Sequence, residues 1–216
     1  MRKFAILGAL TVLLSAALGL NTADASLPAA THLVVVRPVT SAGHVRAGFT
    51  GFAQSTGSVD CSIATPSPGA VSKNIEFCSP SAQYAIACWN AALAHHVWCM
   101  RRVRSHDVVR IARTGAFANT PLAPPSLRAP LVIKLADGDI CNIRDGGSWG
   151  SLPGHPSLFG TYACQHAGAV WASATTQHWG VNMSQPLWTV RTAHFGGHIL
   201  TTHHVVTAWF VGTFTG

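Results

Sequence analysis

Six cysteines, Cys61, Cys78, Cys88, Cys99, Cys141 and Cys164, constrain this chain more than any other feature. No two of them stand at the Cys-x-x-Cys spacing of a zinc knuckle or a thioredoxin-like redox pair. An even count in a chain routed out of the cytosol reads as three disulfides. Six cysteines allow 15 pairings and the sequence does not choose among them; pairing between sequence neighbours, Cys61–Cys78, Cys88–Cys99 and Cys141–Cys164, is the framework expected. It requires a backbone that returns on itself within a short stretch, and it leaves no thiol for a cysteine nucleophile.

The routing is read from the N-terminus. Arg2 and Lys3 precede an apolar stretch from Phe4 to Leu20, which ends in the small-residue pattern Ala23-Asp24-Ala25. That order is a secretory signal peptide over residues 1–25, cleaved after Ala25. Its apolar stretch is short for a membrane span and no second span follows, so the mature chain carries no transmembrane segment. Residues 26–216 are expected to form one secreted domain, with 26–31 as a flexible start. Charged residues are only 10% of the chain and hydrophobic ones 48%, which excludes a disordered polyelectrolyte. Without the signal, 12 basic and six acidic residues remain, so an electrostatic partner is expected to be anionic.

Along the mature chain, short apolar runs alternate with Gly- and Pro-bearing turns. Leu33 to Val36 reads as a first strand, and Ser41 to Ser58 as loop or weak strand. A turn follows at Thr65 to Gly69. Tyr84 to Trp89 and Val97 to Val103 form a hairpin that would bring Cys88 opposite Cys99, with a short helix possible around Asn90 to His95. Val108 to Ala112 is a further strand. Thr120 to Pro130 holds four prolines and reads as a linker within the domain.

The best-defined element is Leu131 to Leu135, Ala136-Asp137-Gly138, then Asp139 to Arg144. A three-residue loop with glycine last is a type I turn plus bulge, which pairs Leu135 with Asp139. Leu131, Ile133, Leu135, Cys141 and Ile143 then share the core face, and Val132, Lys134, Asn142 and Arg144 the other. Further strands are expected at Gly160–Cys164, Ala169–Ala172, Leu187–Ala193, Ile199–Val206 and Ala208–Phe214. The fold class is all-β, a disulfide-stapled antiparallel sandwich or small barrel.

Two stretches resemble a group of secreted actinobacterial proteins that have no assigned activity. One is Phe77-Cys-Ser-Pro-Ser81 with Ile86-Ala-Cys88 and Val97-Trp-Cys99, similar to that group's Phe-x-Ser-Pro-Ser-Gly-Asn-Ile-x-Cys followed by a second cysteine. The other is Leu135-Ala-Asp-Gly-Asp-Ile-Cys141 leading to Arg144-Asp-Gly-Gly-Ser-Trp-Gly150. The Gly-Asn step is missing here, and two extra residues separate Phe77 from Cys88. The resemblance implies secretion and disulfides and carries over no catalytic residue.

Several constellations invite chemistry. Gly146-Gly-Ser148-Trp-Gly150 fits the nucleophile elbow of α/β-hydrolases, but Ser151-Leu-Pro-Gly-His-Pro156 cannot open the helix that should follow. Every Asp and Glu also precedes Ser148, which forbids that family's Ser, acid, His order. A glycine-rich turn is the better reading; a hydrolase using Ser148 or a loop histidine is the runner-up.

Twelve histidines raise the question of metal. His194 and His198 flank Gly196-Gly197, which reads as a hairpin turn pairing His194 with Ile199 and Phe195 with His198, so the two imidazoles would project to opposite faces. His203 and His204 alternate as well, as do His95 and His96 if extended. No metal site or other cofactor is therefore assigned. A metal reading would need three imidazoles gathered from different strands.

Two contact surfaces remain. The run Arg101, Arg102, Arg104, Arg110, Arg113 contains one acid, Asp107, and on a strand Arg102 and Arg104 would share a face; it reads first as a solvated strand edge, whose charge blocks sheet-to-sheet pairing, and second as a contact for anionic lipid head groups or polysaccharide of the envelope. Of seven tryptophans, Trp89, Trp98, Trp171, Trp188 and Trp209 fall in strands as core anchors, while Trp149 and Trp179 sit in Gly-bearing loops where exposed rings could stack on sugars or anchor a partner. No interleaving of basic and aromatic residues points to nucleic acid. The residues favour a secreted, non-enzymatic binding or structural module of the envelope over an enzyme.

Overall fold

The computed structural model describes residues 26–81, 84–147 and 149–215, the side chains of residues 54–56 aside. The proposed signal peptide and Ser148 lie outside the described residues. The fold is all-β, and among the described residues its helical elements are short 3-10 turns such as Pro125–Leu127 and Gln177–Gly180.

Thirteen strands fall into two sheets. The first is a closed barrel of β2 (Thr50–Pro66), β3 (Glu76–Ser79), β4 (Cys88–Asn90), β5 (His96–Arg102) and β6 (Asp107–Thr114). The second contains β1 (His32–Thr40), β7 (Val132–Leu135), β8 (Ile140–Ile143), β9 (Ser151–Leu152), β10 (His155–Cys164), β11 (Ala169–Ser173), β12 (Trp188–Ala193) and β13 (Thr201–Phe214). Its order runs β13-β12-β11-β10-β8-β7, and β7 pairs back onto β13, so this sheet also closes, as a six-stranded ring. Closure removes the exposed edges that short strands would otherwise present.

All three disulfides join sequence neighbours, Cys61–Cys78, Cys88–Cys99 and Cys141–Cys164, with Cα separations of 4.7, 4.0 and 3.9 Å. Cys88 lies opposite Cys99 across β4–β5, and Cys141 opposite Cys164 across β8–β10. The β7–β8 hairpin has the expected register: Ile133 faces Cys141, the Leu135 amide donates to the Asp139 carbonyl (2.8 Å), and Gly138 has φ +93°. Val132 departs from the expected faces. It is buried although it points away from Ile133, because β7 lies against the core on both sides there.

Longer-range pairing changes other expectations. Residues 50–58 belong to a 17-residue strand, β2, which pairs in parallel with β6 from Thr50 to Asp60, with a register shift between Ala53 and Ser58. Their Gly- and Ser-rich sequence lacks apolar alternation because most of this stretch faces solvent. The two C-terminal strands expected on either side of Thr207 are one 14-residue strand. β13 carries β12 and then parallel β1 along one edge and β7 along the other, with a register shift between Val205 and Thr207. Residues 91–95 form a turn, with His95 at φ +58°, where a short helix was expected.

The starting segment 26–31 ends in a fixed residue. Thr31 is buried, donates its hydroxyl to the Val205 carbonyl (2.7 Å) and accepts the Trp188 amide (2.9 Å). The proline-rich connection is irregular but packed: Ala123 and Ala129 are buried, and the Ala129 amide bonds the Pro68 carbonyl at 2.8 Å. The largest buried cluster draws on both barrels, with Ile75, Ile86 and Met100 from one and Ile133, Val170 and Val211 from the other.

Candidate functional site

β5 ends at Arg102, so Arg104 does not continue the strand and instead sits in the turn to β6. The expected shared strand face for Arg102 and Arg104 is therefore not formed. The turn nevertheless delivers Arg101, Arg102 and Arg104 to one cavity of about 490 Å³, walled on its far side by Leu131, Ile140 and Asn142 of the other barrel. The guanidinium of Arg101 lies 5.4 Å from the centre of the Phe52 ring and 5.6 Å from that of Tyr84, which orients it without consuming its charge. Arg102 makes a long contact with Asp107 (4.0 Å) and stays largely exposed, so little attraction is spent there. Arg110 stacks over Trp98, and Arg113 donates to the Gly115 carbonyl; these two ends of the basic run take no part in the cavity.

The same cavity contains Asp145. Burial pushes its carboxyl up to about 6, against a backbone hydrogen bond from Tyr84 that works in the other direction. One oxygen, Oδ1, is shut off from solvent with no hydrogen-bond partner among the described residues. Asp145 follows β8 and Tyr84 precedes β4, so this contact ties the two barrels together. Sequence reasoning passed over Asp145 because its neighbours Gly146 and Gly147 mark a turn, and turn acids are ordinarily solvated. The available signal was its scarcity, one of six acids in the expected mature chain.

The tryptophans expected to be exposed are not. Trp149 is half-buried against Leu158 and Trp171, with Phe195 edge-on at 5.6 Å and Arg144 over its ring at 5.9 Å. It occupies the space above Gly160, where a Cβ would stand 2.5 Å from its Cε3 atom. Trp149 is thus a packing residue. Trp179 is also half-buried, but it opens onto a cavity of about 490 Å³ beside Arg144 and the partly exposed Phe159. His178 and Trp179 both take left-handed backbone conformations, φ +53° and +55°, and the His178 ring is pinned by a 2.7 Å hydrogen bond to the Arg128 carbonyl.

The elbow reading gains no support from its surroundings, since Ser148 lies outside the described residues and the segment after it enters β9 rather than a helix. Among the histidines, the β12–β13 ladder has the expected register, Thr192 facing Thr201, but stops before His194 and His198; the turn closes through the Gly197 amide on the His194 carbonyl at 3.0 Å.

Comparison with protein-family models, curated proteins and solved structures finds no match to this chain. Its function has to be read from the side chains themselves. In the arginine cleft between the barrels a cluster of positive charge, concavity and a raised carboxyl coincide, a combination characteristic of functional sites.

Proposed function

We propose that this chain is a secreted, non-enzymatic binding module of the cell envelope or extracellular space, and that it takes an anionic group of an envelope lipid or polysaccharide in the Arg101–Arg102–Arg104 cleft. The observation that carries the reading is the convergence of these three arginines on one cavity whose lining includes a single acid, Asp145. Secretion rests on the N-terminal sequence, on the resemblance to secreted actinobacterial proteins, and on three disulfides, which persist in oxidising compartments. No helix among the described residues is long and apolar enough to cross a membrane.

Arginine suits this task because its planar fork pairs two N–H groups with a phosphate or carboxylate. Asp145 opposes an anion when ionised and ceases to do so when protonated. Binding should therefore strengthen as pH falls through about 6.

The test is co-sedimentation with phosphatidylglycerol vesicles against phosphatidylcholine vesicles, with alginate gel retardation as the polysaccharide arm. Replacing all three arginines by alanine should weaken binding to the preferred anion by roughly a hundredfold, since each contributes about 1 kcal/mol at an anionic surface. D145N should bind more tightly at pH 7.5 and lose the pH dependence. Equal binding by the triple variant and the parent chain would remove the cleft from consideration.

A further inference from the structure

Three hairpin turns of the six-stranded barrel meet at one end: β7–β8, β10–β11 and β12–β13. They enclose a cavity of about 600 Å³ whose lining includes His166, His194, His203 and Asp137. The imidazoles come from three different segments, which the local spacing of His194 with His198, or of His203 with His204, could not reveal. We propose that His166, His194 and His203 bind a divalent transition-metal ion of the Zn2+ class, with Asp137 as the carboxylate that orients His203.

The geometry starts from His203. Its Nδ1 lies 3.2 Å from Asp137 Oδ2, which presents Nε2 as the free ring nitrogen. A carboxylate holding one imidazole nitrogen while the other ligates is the usual support for a metal-bound histidine, because it sets both tautomer and ring direction. Asp137 is itself oriented, its Oδ1 accepting the Asp139 amide at 3.0 Å. The turn carrying His166 is held just as firmly: the buried Asp139 carboxylate accepts the amides of Gln165, His166 and Ala167 at 2.7–3.2 Å. Gly168 completes this turn directly against the backbone of Ala193 and His194, in a space that would exclude a Cβ. His194 then opens the next turn through its bonded carbonyl.

The three backbones are thus fixed, while the side chains of His166 and His194 are exposed; the three ring nitrogens do not lie within 4.8 Å of one another as they stand, so joint ligation requires a change of rotamer at these two exposed residues. Three imidazole ligands with an open fourth position match the coordination that Zn2+ accepts, and nitrogen donors of this type suit Zn2+, Cu2+ and Ni2+ over Ca2+ or Mg2+.

The experiment is a ZnCl2 titration of the full chain at pH 7.5, read by calorimetry and by native mass spectrometry. The expected result is one Zn2+ per chain. H203A and the H166Q/H194Q pair should each weaken binding by at least tenfold, D137N by about 10- to 100-fold, and H198A/H204A should leave it unchanged. Near-UV circular dichroism of each variant checks that the fold is retained. Failure of the parent chain to retain one Zn2+, unchanged affinity in a folded H166Q/H194Q pair, or loss of binding in H198A/H204A would overturn the assignment.

Discussion

Glu76 in the five-stranded barrel and Asp139 in the six-stranded one occupy comparable settings. Both side chains are buried, and each carboxyl lies within 4.8 Å of the sulfurs of a disulfide, Cys61–Cys78 for one and Cys141–Cys164 for the other. Their ionisation is displaced in opposite directions. For Glu76, burial dominates and raises the carboxyl above its ordinary value, although the amides of Thr120 (3.2 Å) and Ala118 (3.4 Å) pull the other way. For Asp139, burial also acts to raise it, but hydrogen bonds from Ala167, His166, Ile140 and Gln165 together outweigh that and hold it below the usual carboxylate range. The Asn119 amide and the Arg113 charge also act on Glu76 in the lowering direction, so the sign is set by the balance between burial and the polar groups around each carboxyl. One carboxylate stitches two turns together; the other is tolerated where the chain happens to enclose it.

The contrast extends to the cores. The cluster inside the five-stranded barrel contains ten buried hydrophobic residues among those described, and four of them are disulfide cysteines. Cys141 instead belongs to the large cluster shared by both barrels. Deleting a disulfide should cost about 3 kcal/mol from chain entropy, and the separations of 11 and 23 residues for Cys88–Cys99 and Cys141–Cys164 change that by well under about 1 kcal/mol. C88A/C99A is therefore expected to lose more stability than C141A/C164A in urea unfolding, because it also thins the smaller core. Equal losses would mean that the two barrels share one cooperative core and that the contrast has no energetic weight.

Next in size is D139N. Its amide has one oxygen for four backbone donors and turns an N–H2 toward the rest, so a cost of about 2–3 kcal/mol is expected at pH 7. The sign with pH follows from the lowered carboxyl: its contribution is complete above the unfolded value of about 3.9 and disappears as pH falls through the folded one. Urea midpoints of D139N and the parent chain should converge in acid. A constant gap across pH would show that packing, rather than the amide cage, is what the carboxylate supplies.

The smallest effect is expected from E76Q. Glu76 is raised, so its favourable contribution is present below about 4.3 and is lost as pH rises through the folded value. E76Q should be within about 1 kcal/mol of the parent, near neutral at pH 4 and slightly stabilising at pH 7. A marked loss at pH 7 would show that the ionised form bonds its two amides better than the geometry suggests.

How much was legible depended on range. The turn Ala136-Asp137-Gly138, the facing of Cys88 and Cys99, and the register leading into Gly196-Gly197 follow from a few adjacent residues and were readable. Residues 50–58 read as loop or weak strand and no further, because nothing in a Gly- and Ser-rich stretch reports a parallel partner some fifty residues on. The arginine run was visible as charge, but its connection, through Tyr84, is to Asp145 of the other barrel. The half-burial of Trp149 was not legible either: the vacancy it fills is made by Gly160 on β10, a strand whose pairing with β9, just after Trp149, does not show in the loop sequence.

By itself the sequence determined the all-β class, an even set of cysteines suited to three disulfides and the local turns, since cysteine parity, side-chain alternation and glycine placement are properties of short segments, whereas the pairing of neighbours among the 15 possible connectivities was decided by the fold. The tertiary structure alone decided the two ring closures, the parallel pairings β1–β13 and β2–β6, the opposite ionisation of Glu76 and Asp139, and the gathering of three histidines around one cavity. Those depend on backbone amides and remote partners. A backbone N–H looks the same at every position of a sequence, and only the fold says toward which side chain it points.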